Sequence, residues 1–239
     1  MKKYLTTYLS EAVQNAHDQL DRRVTGYLSG KGLGISCRKG CAFCCHALVT
    51  LSLAEAEYLR SHLSPKVLER VQGVGQERLQ RIAREKYTPD FATRYFLEAH
   101  PCPLLTQDGT CSAYAHRPLA CRGVLTDLEA RYCKPGAIPA LKGSERKAYL
   151  SQLKPHHGPE HYLKIPWRAS EQAARQLWQH EQGARGFTVI GELASLVYLL
   201  GQADFRKALH EGQKAVRDYL KSRGVLGGEW GLWVGKANG

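Results

Sequence analysis

Apolar residues recur at three- and four-residue steps along most of the chain, the period of helices that bury one face. Tyr4, Leu5, Tyr8, Leu9, Val13, Ala16, Leu20, Val24 and Tyr27 form such a stripe and predict an amphipathic helix over residues 3–28. Ser52 with Glu55 three positions later is a capping-box pair, which opens a helix over LAEAEYLRSHL. Ser64 and Pro65 start another, because proline is pre-set for a first helical turn; it runs toward Tyr87, with Gly73 and Gly75 as its expected weak point. Thr88 and Pro89 introduce a short aromatic helix through Phe91, Tyr95 and Phe96, which must stop before Pro101. After a long irregular stretch, helices are predicted near residues 144–154, 169–183, 188–202 and 204–222. No alternation of period two predicts a strand. The most apolar segment, residues 187–201, carries Glu192 and is shorter than the roughly 20 residues that cross a bilayer, so it predicts a buried helix.

With 239 residues, 43% of them apolar and 23% charged, the composition is that of a globular chain, and it excludes the disordered and membrane-spanning classes. The opening MKKYLTTYLS runs into Ser and Glu11 where a signal peptide would place an apolar core, so a cytoplasmic location is expected. The net charge of +12 raises the question of nucleic acid. Up to residue 139 there are nineteen Lys and Arg against thirteen Asp and Glu, and beyond it fifteen against nine. An excess spread so evenly lacks the basic stripe that tracks phosphates, which argues against nucleic acid as a partner. The Gly-rich end, with Trp230 and Trp233, is expected to fold back onto the body or to meet a protein partner.

Cysteine changes the picture. All eight fall in one part of the chain: Cys37, Cys41, Cys44 and Cys45, then Cys102, Cys111, Cys121 and Cys133. In a reducing compartment, thiols this closely spaced read as metal ligands and not as disulfides. Gly40 suits the tight turn that brings successive thiols round to one ion. The side chains of adjacent Cys44 and Cys45 diverge by about 100° or 180° in regular structure, so two metals, or a cluster with more than one edge, are expected. The second group lies in nearly forty residues broken by Pro and Gly. Ordering such a loop costs roughly 1–2 kcal/mol per residue, which a structural metal site returning on the order of 10–16 kcal/mol would help to offset. The expected fold class is mainly α, with helices packed around an irregular cysteine-rich metal-binding loop region. Three parts are expected: residues 1–34, an N-terminal helix; 35–139, the metal-binding domain; and 140–239, a helical extension.

CRKGCAFCC, then PCPLL, then the SAYAHRP and ACR segments, resemble the YkgJ-type cysteine-cluster family, the CxxCxxCC zinc- or iron-chelating domain. The resemblance covers about residues 35–135. It implies chelation of zinc or iron, with iron-sulfur as a further form, and metal ions as the partner. Carried over by motif, the ligands are Cys37, Cys41, Cys44, Cys45, Cys102, Cys111 and Cys121, while Cys133 matches less sharply. The first pair is spaced by three residues where the family has two. Arg117 and Arg122 match the family's RP and CR dipeptides and are candidate cofactor-binding residues, through charge-assisted hydrogen bonds to metal-bound sulfur or to an anionic ligand. Flagellin lysine methylases are similar to this family in their cysteine cluster. The alternative function is therefore an iron-sulfur enzyme, either an oxidoreductase or a protein-lysine methylase, with S-adenosylmethionine as its candidate cosubstrate.

The Cys37, Cys41, Cys44 spacing also equals that by which radical S-adenosylmethionine enzymes hold three corners of a [4Fe-4S] cluster, which makes such a cluster a candidate cofactor, but the strand-helix alternation of their barrel is missing. Of the ten histidines, His46 beside Cys45 is the best candidate for a nitrogen ligand; His100 and His116 read as loop residues. His156, His157 and His161, in a proline-bounded segment, read as a polar linker ahead of a second metal site. Asp108 and Gly109 predict a turn, and Tyr114 a wall beneath the site.

Overall fold

A computed structural model describes residues 2–235. In chain order the elements are α1 (Lys2–Lys31), β1 (Thr50–Ser52), α2 (Leu53–Ser61), α3 (Pro65–Glu85), α4 (Phe91–Leu97), α5 (Leu119–Gly123), α6 (Ala137–Ala140), α7 (Gly143–Gln152), α8 (Lys164–Arg185), β2 (Thr188–Glu192), α9 (Leu193–Gly201), α10 (Ala203–Glu211), α11 (Gln213–Ser222) and β3 (Trp233–Gly235). The fold is mainly helical, as the periodicity predicts. Residues 101–139 are irregular apart from α5, α6 and two single 3-10 turns, Tyr114–His116 and Ala130–Cys133.

Two apolar clusters form the core. One gathers α3, α9, α10 and α11 around Leu59, Val71, Ile82, Phe91, Leu196, Phe205 and Val216. The other lies where α1 crosses α8, with Leu9, Val13, Leu20, Leu119, Leu163 and Leu177. Helix α2 is the wall between them: Leu53, Ala56 and Leu59 face the first cluster, Ala54 and Tyr58 the second. Residues 1–34, 35–139 and 140–239 all contribute to this packing.

The structure corrects the expectation that no strand would form. A three-stranded antiparallel sheet in the order β1-β2-β3 pairs Thr50 with Glu192, Leu51 with Gly191, Thr188 with Gly235 and Ile190 with Trp233. The helix expected over 188–202 is thus a strand followed by a helix. Both β1 and β2 hand over to a helix through a capping residue: Ser52 exchanges hydrogen bonds with Glu55, and Glu192 accepts from the Ser195 N–H and hydroxyl. Glu192 also takes a buried ion pair from Arg78, 2.6 Å away. Gly75 is no weak point. A Cβ there would lie 2.1 Å from the Ala194 carbonyl oxygen, so glycine is what lets α3 and α9 touch. The helix expected over 204–222 breaks at Gly212 into α10 and α11. Trp230 packs on the first cluster and Trp233 stands in β3, so the tail folds back. Among the described residues, no helix is long and apolar enough to cross a membrane.

Candidate metal centre

The four cysteines of residues 37–45 sit on consecutive turns between α1 and β1. The Cys41 N–H bonds to the Arg38 carbonyl at 2.9 Å, Cys45 to Ala42 at 3.0 Å, and Ala47 to Cys44 at 3.2 Å. Gly40 has φ +92°, the left-handed turn conformation that its sequence position calls for. The second group reaches the same place from other elements. Cys102 donates its N–H to the Cys45 carbonyl at 2.7 Å, joining the two groups by backbone. Cys111 closes a hairpin with Leu105, whose turn is held by Asp108 accepting from Thr106 and Thr110. Cys121 lies on α5, and Cys133 ends the second 3-10 turn.

All eight thiols are free, and all eight line one cavity of about 1300 Å³. Its wall includes Tyr114, Arg117, Arg122, His161, Tyr162, Trp167 and Trp178. Within the ring the thiols differ in which neighbours' charges they feel, and Cys44 acts on Cys37, Cys133, Cys45 and Cys121 alike. Cys133 faces Cys44, Cys37 and Cys41, and Cys37 faces Cys44 and Cys41. Cys45 faces Cys102 and Cys121 as well as its neighbour Cys44; Cys121 faces Cys102, Cys44 and Cys111. Burial pushes Cys102 up to about 11 and Cys133 up to about 12, and raises Cys37, Cys111 and Cys121. Cys44 is the exception, lowered to about 7 chiefly by a hydrogen bond from the Cys45 thiol, which is itself held protonated. A cavity that resists lone thiolates yet collects eight of them suits a soft cation, whose charge removes the desolvation penalty.

The two arginines differ. Arg117 is half-buried, stacks over the Tyr114 ring at 4.0 Å and, among the described residues, has no carboxylate partner. Its charge lowers Cys37, Cys44, Cys111 and Cys121. Arg122 is buried and committed within the protein: it pairs with Asp21 at 2.5 Å and donates to the Arg117 carbonyl at 3.0 Å and the Ala115 carbonyl at 2.5 Å. Its geometry is that of an anchor for the 114–123 segment. Glu55 completes this frame, accepting the Leu119 N–H at 3.0 Å and so tying α5 to the cap of α2.

The histidines fall differently from expectation. His46 bonds to the Ala99 carbonyl at 3.0 Å and is not part of the cavity wall. His116 stacks on His62 with ring centres 4.0 Å apart. His161 is buried, lines the cavity and places Nε2 3.2 Å from the Cys133 sulfur. No spacing motif could have found it, 28 residues beyond Cys133 in a segment that reads as a linker.

Asp127, His156 and His157 form the one trio of His, Cys, Asp or Glu, among the described residues, with ligand atoms within 4.8 Å of one another. The His157 Nδ1 accepts the Lys154 N–H at 2.8 Å, so its proton sits on Nε2 and is donated to Asp127, 2.5 Å away. A protonated nitrogen has no lone pair for a metal, which makes this trio a hydrogen-bonded clasp. The cysteine sulfurs ring their cavity more widely than one ion's cage, where sulfurs bound at about 2.3 Å stand about 3.8 Å apart.

Residues 36–135 match the CxxCxxCC family, described as a "putative zinc- or iron-chelating domain", and the matched segment contains all eight cysteines. No curated protein and no solved structure matches the chain.

Proposed function

We propose that this is a thiolate metal-binding protein whose eight cysteines hold zinc or iron in two neighbouring sets. Cys37, Cys41, Cys44 and Cys133 make one; Cys45, Cys102, Cys111 and Cys121 make the other. The observation that carries this reading is that eight free thiols, drawn from two segments more than fifty residues apart, line a single cavity. Among the described residues no three of the cysteine sulfurs lie within 4.8 Å of one another, which favours two ions or a polynuclear centre over a single ion. The bound metal would supply a cation that keeps the thiolates ionised and pins the irregular loop. The chain's own residues prepare the place. Arg117 offsets part of the minus two that four thiolates leave on a divalent ion, while Arg122 and Glu55 hold the backbone that presents Cys121. In this reading residues 35–139 carry the metal, and residues 1–34 and 140–239 build the walls around it.

Elemental analysis of protein purified without oxygen and without added metal tests it. About two or more zinc or iron ions per chain are expected, falling in Cys44→Ala and Cys121→Ala. Metal-free protein with eight reactive thiols that takes up neither ion would overturn the reading. Colour separates the metals: an iron-sulfur centre absorbs broadly near 400 nm, and a zinc centre does not.

One observation favours a second reading, an iron-sulfur enzyme. The cavity exceeds the roughly 300–1,000 Å³ of most small-molecule pockets, and Trp167, Trp178 and Tyr162 leave an aromatic wall beside the thiols. An organic substrate has room next to the metal. Cleavage of S-adenosylmethionine by the reduced, reconstituted protein would support this enzyme; a loaded protein that leaves it intact would favour binding alone.

A further inference from the structure

His161 lies outside the matched segment, yet the fold delivers it to the cysteine cavity. Its carbonyl accepts the Thr126 hydroxyl at 2.8 Å, and the Thr126 carbonyl accepts the Ser36 N–H at 2.9 Å. The next link, the Leu163 N–H to the Leu125 carbonyl at 2.8 Å, fixes the same stretch again. One backbone strip thus sets both the entry to Cys37 and the position of His161. The side chain is only 1% exposed and packed beside Tyr162, with Tyr149 edge-on.

Its two nitrogens are placed unequally. Nδ1 stands 3.3 Å from the Tyr149 hydroxyl, and Nε2 3.2 Å from the Cys133 sulfur on the cavity side. With the Nδ1 proton given to the Tyr149 oxygen, the lone pair lies on Nε2 and points at the thiol. That is the arrangement by which a ligating imidazole is usually fixed, one nitrogen tied to the protein and the other free for the ion. A nitrogen at 2.0–2.1 Å and a sulfur at 2.3 Å on one tetrahedral ion stand about 3.6 Å apart, so an ion needs to part this pair by only about 0.4 Å. A catalytic Cys-His dyad fits less well, since the orienting partner is a neutral hydroxyl and not the carboxylate that stabilises an imidazolium. His157, with its proton on Nε2, and His46, outside the cavity wall, lack this combination.

We propose that His161 is the fourth, nitrogen ligand of the metal beside Cys133, which then takes three of the thiols Cys37, Cys41, Cys44 and Cys133. The inference rests on the thiolate reading above. It makes one centre a mixed sulfur-nitrogen site beside an all-sulfur one.

Cadmium-113 NMR on protein made with nitrogen-15-labelled histidine and loaded with cadmium tests it, because a directly bound nitrogen splits that ion's resonance. One resonance should be a doublet in the wild-type protein, remain so in His46→Gln and His156→Gln, and collapse in His161→Gln. Tyr149→Phe leaves the imidazole in place and should keep the doublet but shift it, a check that holds even if His161→Gln does not fold. Singlets throughout the wild-type spectrum, a doublet that survives His161→Gln, or one unmoved by Tyr149→Phe would overturn the assignment and leave thiolate binding standing. A protein that takes up no cadmium would instead overturn the thiolate reading, and this inference with it.

Discussion

Two neighbouring thiols with opposite tendencies, Cys44 lowered to about 7 and Cys45 raised, show how much one side chain's surroundings decide. Both belong to the same turn, and the proposed function assigns each to a different set. In the proposed assignment, removing Cys44 or Cys121 takes one donor from its own ion, so Cys44→Ala and Cys121→Ala should each lower metal content and solubility together. His156→Ala, which touches only the Asp127 clasp, should do neither. Equal metal in all three variants, measured by elemental analysis, would refute the ligand assignment. Away from the site, Glu181 carries a separate residue-scale consequence. It is fully buried, accepts the Thr188 hydroxyl at 2.7 Å and has Arg185 only at 3.7 Å, so burial raises its carboxyl to about 7. The unfolded chain gives up this proton near 4.5, whereas the folded one holds it to about 7. Between those values the native state binds more protons, so this group's contribution to stability falls as pH rises through the window and levels off above it. Glu181→Gln keeps a hydrogen-bonding group without the charge. It should raise the urea midpoint at pH 8 by the equivalent of up to about 3 kcal/mol and change it little at pH 4. Parallel pH profiles for the two proteins would refute this.

At the scale of elements, α3 offers a paired test, because its two glycines look alike in sequence and differ in space. A Cβ on Gly75 would strike the Ala194 carbonyl, whereas Gly73 has nothing within 4 Å. Gly75→Ala should therefore cost on the order of 1–3 kcal/mol by forcing α3 off α9, and Gly73→Ala should gain about 0.5–1 kcal/mol of helix propensity. Thermal denaturation of the two variants, with shifts of opposite sign, checks it. The same pair explains what could be read from sequence. Helix α2 was legible because its capping box is local, with Ser52 and Glu55 three residues apart. The cysteine centre was legible because thiol clustering is a compositional signal. The sheet was not, since strands of three to five residues pair across some 140 positions of chain, and FTVIGE reads equally well as the start of a buried helix. His161 was hidden for a related reason. Its place is set by the Thr126 and Leu125 contacts, which no spacing rule encodes, while His46, beside Cys45 in sequence, is turned away by its bond to Ala99.

For the molecule as a whole, the cysteine loop lies between two apolar clusters that are built without it in large part. The α3-α9 cluster draws on residues from 51 to 234, and of residues 101–139 only Leu104 and Ala113 are buried in it. The second cluster takes Leu119 and Leu125 from that stretch. Six buried apolar residues in all, Tyr132 and Cys133 included, leave a gap between what burial returns and what ordering nearly forty residues costs. Arg122, Glu55 and the Cys102-Cys45 backbone bond narrow that gap without closing it. In the proposed reading, metal held by both cysteine groups supplies a further contribution, on the order of 10–16 kcal/mol for a structural site. Chelation at neutral pH under reducing conditions should then open residues 101–139 to protease first, while fragments containing α3 and α9 persist, because their contacts do not pass through the loop. Readdition of zinc should restore protection in wild-type protein but not in Cys121→Ala. Limited proteolysis followed by mass spectrometry reads both, and a cleavage pattern indifferent to chelator would mean that the loop is ordered by its own packing and that metal is a passenger in it.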